Sequence, residues 1–129
     1  MSTQQFTRNI DLDSARDLLE RVPRACIGFA DAQGPQAQPV TFVWLDKRYF
    51  IGIPDAVKRQ PDAGQEVVLL VDEGVFFYDL RAVYVRGHVQ PTLPPPNAQG
   101  SHRWFELFPI KIVAWDYGTL HEVEVPDEH

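Results

Sequence analysis

The stretch Arg24 to Pro54, RACIGFADAQGPQAQPVTFVWLDKRYFIGIP, decides the class of the fold. RACIGFAD reads as a strand, AQGPQ as a turn, AQPVTFVWLD as a second strand, DKR as a tight turn and RYFIGI as a third strand. Strands joined by so few residues must run antiparallel, because a parallel neighbour needs a crossover of a dozen or more residues.

Working outward, DLDSARDLLERV puts Leu12, Ala15, Leu18 and Leu19 on one helical face, with Asp11 or Asp13 as N-cap and Pro23 as the stop. On the other side, PDAVKRQPDAG is too polar and too rich in Pro and Gly for a sheet, and one short helical turn is expected there. EVVLLVD is an apolar run suited to a strand buried on both faces. EGVFFYDLRAVYVRGHVQ supplies one long bent strand or two short ones, and PTLPPPNAQGSH is a surface connection. KIVAWDYGTLHEVEV reads as two strands around an Asp-Tyr-Gly bend. The sum is a mainly β, single-domain chain over residues 1–129: an antiparallel barrel of six or seven strands with one N-terminal helix and short connecting helices.

A length of 129 residues suits one core, and 44% hydrophobic with 23% charged residues is ordinary globular composition. No apolar run approaches the roughly 20 residues of a membrane span, and the N-terminus shows no secretion signal, so a cytoplasmic protein with no membrane partner is expected. A net charge of -6 argues against nucleic acid, whose binding needs a basic face. It leaves room for a small anionic ligand held by a local cluster of cations.

His88, His102, His121 and His129 have no metal-ligand spacing, so no metal site is expected. Gly-rich nucleotide loops and the Gly-x-Ser-x-Gly elbow are absent from the sequence. Cys26, the lone cysteine, reads as a small core residue. Arg81 and Arg86 read as salt-bridge partners on a strand, and His88 as an exposed strand residue.

The order of these segments carries a resemblance. The pattern G-x-x-x-x-P-V-x-F-x-W from Gly34 to Trp44, the V-R-G-H-V strand from Val85 to Val89 and the closing KIVAWDYG resemble the FMN-binding split β-barrel family related to pyridoxamine 5'-phosphate oxidase, over about Leu18 to Val123. The closing segment is similar to the flavin- and deazaflavin-dependent reductase branch. The resemblance implies an antiparallel split β-barrel, a homodimer with flavin in the groove between subunits, and hydride or electron transfer between FMN and a small-molecule substrate.

It also implies a site. Lys58 and Arg59 would hold the cofactor phosphate, the backbone from Gln38 through Pro39, Val40 and Thr41 to Phe42 would line the ring edge with its N–H groups, and Trp104, Trp115 and Tyr117 would cover the ring from the partner subunit. Guanidinium and ammonium groups suit a phosphate dianion through charge-assisted bonds. No residue marks itself as an obligatory acid or base. Three alternatives stand beside this reading. Lys58 and Arg59 form an ordinary solvated turn; the cofactor is a deazaflavin, whose polyanionic tail needs more cations; or the chain is a cofactor-free binding module, for which Asp55 and Pro61 speak. Trp44, Trp104, Phe105, Phe108 and Trp115 are the aromatics expected at a dimer interface.

Overall fold

The computed structural model describes the backbone of residues 2–118 and 121–126 and the side chains of residues 8–118. The expected helix forms in two parts, a 3-10 turn at Leu12–Ala15 running into α1 at Arg16–Arg21. Ala15, Leu18 and Leu19 are buried and Leu12 half-buried, so the apolar stripe faces the core as its spacing requires. Around the helix run β1 (Ser2–Thr7), β2 (Asn9–Ile10), β3 (Arg24–Asp31), β4 (Gly34–Leu45), β5 (Arg48–Pro54), β6 (Glu66–Glu73), β7 (Arg81–Pro91), β8 (His102–Asp116) and β9 (His121–Pro126). The order β8-β5-β4-β3-β6-β7 closes back on β8, giving a six-stranded antiparallel barrel; β2 adds to the far end of β8, and β1 pairs with β9 as a separate ribbon. The fold class matches the expectation.

The barrel interior holds the alternate residues of every strand, among them Ile27, Val40, Phe42, Ile51, Leu69, Val85, Phe105 and Leu107, with α1 plugging the end where Ala114 and Val83 lie. The helix is also fixed electrostatically. Arg81 bridges Asp17 at 2.8 Å and Glu73 at 2.6 Å, and Arg21 reaches the same two carboxylates at 3.2 and 2.8 Å. Hydrogen bonds from Arg21 and Arg81 draw the Glu73 carboxyl down to about 2, and those from Arg81 and Arg21 hold Asp17 well below the usual carboxylate range. Arg81 is thus a salt-bridge residue as expected. Arg86 approaches Glu66 only at 3.9 Å, and His88 is exposed.

Four expectations need correction. Cys26 is half-buried on the outer face of β3, because the inward parity belongs to Ala25, Ile27 and Phe29. β6 is not buried on both faces: Val67, Leu69 and Val71 point inward, whereas Val68 and Leu70 are half-buried on the barrel exterior. Gly34 to Gln36 belong to β4; the turn is only Ala32-Gln33, closed by the Gln33 N–H donating to Asp31 Oδ1 at 2.8 Å. Finally, Val75 to Tyr78 form no strand. Gly74 turns the chain with φ +130°, and Asp79 accepts the Phe76 N–H at 2.8 Å, which starts a short 3-10 turn at Phe77–Asp79. β1 falls outside any element read from the sequence, since Ser2 to Thr7 is polar and shows no apolar alternation.

Candidate cofactor site

The segment after β5 is the wall of the candidate site. No helix forms in it. Val57 closes a turn on the Pro54 carbonyl at 3.0 Å, and Gln60 Nε2 donates to the carbonyls of Pro54 and Val57 at 3.2 and 2.9 Å. The buried Pro61 pushes Gln60 away from helical backbone angles, which ends any helical start. The segment lies along β4, with Gln36 and Gln38 Nε2 each donating to the Arg59 carbonyl at 3.4 Å.

The adjacent cations have different fates. Lys58 is exposed and, among the described residues, makes no ion pair. Arg59 is committed: its Nε and Nη2 fork onto Asp31 at 2.7 and 2.6 Å, and Nη2 also donates to the Gly34 carbonyl at 2.7 Å. Hydrogen bonding to Arg59 lowers the Asp31 pKa, and the same bond raises that of Arg59. Arg59 therefore ties the tip of the β3–β4 hairpin to the segment. Asp31 was not read as part of the site, because no local spacing relates it to a residue 28 positions away.

The expected ring-edge residues sit on β4, where it outruns β5. β5 pairs with β4 only from Thr41 to Leu45, so Gly34 to Val40 have β3 on one side and no strand on the other. The Phe42 N–H donates to the Pro23 carbonyl on the β3 side at 3.0 Å. Backbone groups alternate along a strand, so the N–H groups of Gln38 and Val40 also face β3, while Thr41 faces β5. Pro39 has none. Residues 38–42 thus carry no N–H toward the open edge, which presents carbonyl oxygens there.

What does gather is a cluster around Pro54. His102 pairs with Pro54 across β5 and β8, and its Nε2 lies 3.4 Å from Thr41 Oγ1. His102 Nδ1 and Gln60 Oε1 are buried without a hydrogen-bond partner. Beside them the Trp104 ring covers Gly52, at 2.8 Å from where a Cβ would be. His102 and Gln60 are site residues that sequence reading passed over; the signal available was the strand pairing that brings His102 to the end of β5. Trp115 lies toward the opposite end of β8, across from Asn9 and Ala82, about 40 Å of strand from His102 at roughly 3.3 Å per residue. Within one subunit it does not meet Lys58. Of the aromatics expected at an interface, Trp104 and Phe105 are buried in the barrel wall, Trp44 and Trp115 are half-buried and Phe108 is 49% exposed. Tyr117 packs against Phe77 with ring centroids 4.6 Å apart and the planes tilted by 44°.

No protein-family model matches the sequence, and no curated protein matches it. Solved structures do. The FAD-binding protein from Mycobacterium smegmatis superposes with a TM-score of 0.67 at 16% identity, covering 84% of this chain and 98% of that one. A candidate pyridoxamine 5'-phosphate oxidase from Corynebacterium glutamicum gives 0.60 at 14% identity over 92% and 94%. The heme storage protein HutZ from Vibrio cholerae gives 0.59 at 12% over 81% and 93%. This chain has their fold. At such identities the split barrel is the shared property, and proteins with different ligands in their names share it. Among the described residues no helix is long and apolar enough to cross a membrane, and no group of three or more metal-ligating side chains comes together.

Proposed function

We propose that the chain is a flavin-binding split barrel that holds FMN with its phosphate on Lys58, and that it passes hydride or electrons between the flavin and a small substrate as a cytoplasmic homodimer. The observation that carries this reading is the cluster at Pro54: His102 Nδ1 and Gln60 Oε1, buried without partners, with the exposed Lys58, which makes no ion pair among the described residues, two positions before Gln60, on the fold of two proteins named as FAD-binding. Lys58 suits a phosphate, and His102 Nδ1 suits a phosphate or ring oxygen when it carries the proton. The fit to the ring is poorer, since residues 38–42 bring carbonyls rather than N–H groups to the open edge. When bound, a flavin supplies the redox chemistry; the chain's residues position it, and Thr41 and Trp104 bound the face beside Gly52.

FMN is preferred to FAD or a deazaflavin because cations are scarce: Arg59 is bound to Asp31 and Arg48 to Glu106 at 2.5 Å. The dimer reading rests on Val75, Phe76, Phe77 and Tyr78, which are 86%, 58%, 71% and 66% exposed. A cofactor-free binding module is the second reading, favoured by the commitment of Arg59. The test is the absorption spectrum of the purified protein, followed by titration with FMN and FAD. Saturable FMN binding that weakens about 10- to 150-fold in Lys58→Ala, the effect of losing one charge-assisted bond of about 1.5–3 kcal/mol, supports the proposal. Absence of flavin binding in the wild type selects the cofactor-free module.

A further inference from the structure

A separate cavity lies at the other end of β5, under the helix. It has a volume of about 300 Å³, at the lower end of the range for small-ligand sites, and Leu12, Leu19, Ile112 and Pro109 form its apolar walls. Its polar lining is uneven. Tyr49 is only 4% exposed and lines the cavity, where its hydroxyl can donate and accept. The Trp44 indole N–H is buried without a hydrogen-bond partner; it acts on the Tyr49 hydroxyl closely enough to oppose the rise in pKa that burial causes, yet does not meet hydrogen-bond geometry with it. The Trp44 N–H is therefore a buried donor without a well-placed acceptor, and the Tyr49 hydroxyl is a second donor lining the same cavity.

The charged lining has a net single positive charge: Arg16 and Lys47 against Asp13. The Arg16 guanidinium sits 5.3 Å over the Trp44 ring and keeps one bond to Glu20 at 3.0 Å, while Lys47 is fixed at the β4–β5 turn, where it and Asp46 both have positive φ. A buried donor without an acceptor is costly. A ligand that brings an acceptor, a negative charge and an apolar body answers every part of this lining.

We propose that this cavity binds a small amphipathic carboxylate, its oxygens accepting from Tyr49 Oη and Trp44 Nε1 and its apolar body lying against Leu12, Leu19 and Ile112. Lys47 and Arg16 at the mouth favour the anion. The site is independent of flavin binding, because Lys58 follows the opposite end of β5.

The probe is 4-phenylbutyrate, with 4-phenylbutan-1-ol and 2-phenylethylamine as neutral and cationic counterparts, followed through the three indole N–H resonances in nitrogen-proton correlation spectra. Trp44→Phe identifies the Trp44 signal. The expected result is a saturable shift of that signal alone, about tenfold weaker binding in Tyr49→Phe, weaker binding in Lys47→Ala, and weaker binding of the alcohol and the amine. Saturating FMN should leave the titration unchanged. No saturable shift with millimolar 4-phenylbutyrate, as when water alone fills the cavity, overturns the proposal, as does equal binding of the alcohol or the amine. Because Lys47 is exposed and outside the core, its variant tests the anion preference even where Tyr49→Phe loosens the barrel.

Discussion

Lys58 and Arg59 are neighbours in sequence, yet they answer to different forces. Arg59 has a carboxylate and a backbone carbonyl within 2.7 Å, so its removal strips the hairpin tip of its anchor. Arg59→Ala and Asp31→Ala should each lower the melting temperature, and the double variant should melt no lower than the worse single one, because one interaction is lost in all three. Lys58→Ala should melt with the wild type. Calorimetry on the four proteins distinguishes these outcomes; equal melting of Arg59→Ala and wild type would sink the anchoring role. The sequence announced two cations beside a strand end. It could not announce that one was taken, because the partner comes from a hairpin tip placed there only by the closed sheet.

At the scale of elements, β7 and β8 depend on a close approach. The register shifts between Arg86 and Gly87, and a Cβ on Gly87 would collide with the carbonyl of Phe108 and with Pro109. Backbone cannot retreat as a flexible side chain does. Gly87→Ala should therefore destabilise by about 1–3 kcal/mol, as overpacking does, measured as a lower denaturant midpoint at unchanged slope. The strands were legible because inward and outward residues alternate through β3, β4 and β7, and the helix because its apolar spacing changes to 3.6. β6 misled because Val68 and Leu70, apolar on the outer wall, erase the alternation. The Val75 to Tyr78 turn misled for a related reason: aromatic residues suit strands, and Gly74 and Asp79 override them only through backbone angle and capping.

At the scale of the whole molecule, acid should loosen the helix end first. Glu73 titrates near 2 in the folded chain against an ordinary 4.5, so folding favours its charged form. The sign follows: this contribution is complete above about pH 4.5 and disappears as pH falls toward 2. Asp17 shifts in the same direction and extends the loss to lower pH. The wild type should melt above Glu73→Gln at pH 7, and the gap should close by about pH 2; a gap independent of pH would contradict the network. Mass also bears on the whole molecule. Light scattering should give twice 14.7 kDa, and replacing Phe76 and Phe77 with Ser should return the chain to 14.7 kDa if that exposed turn forms the interface.

The unpaired stretch of β4 has a further consequence, for what the protein avoids. Residues at odd positions from Pro35 to Pro39 turn their backbone to the open side, and two of the three are prolines, so Ala37 alone offers an N–H there. A strand edge with its full set of donors invites another chain to add to it; proline at these positions removes the donors without breaking a bond inside the sheet. The same residues that leave room at the mouth of the barrel thus keep neighbouring molecules from joining edge to edge. Replacing Pro35 and Pro39 together with Ala should preserve the fold by circular dichroism while the protein begins to form concentration-dependent fibrillar assemblies that the wild type does not.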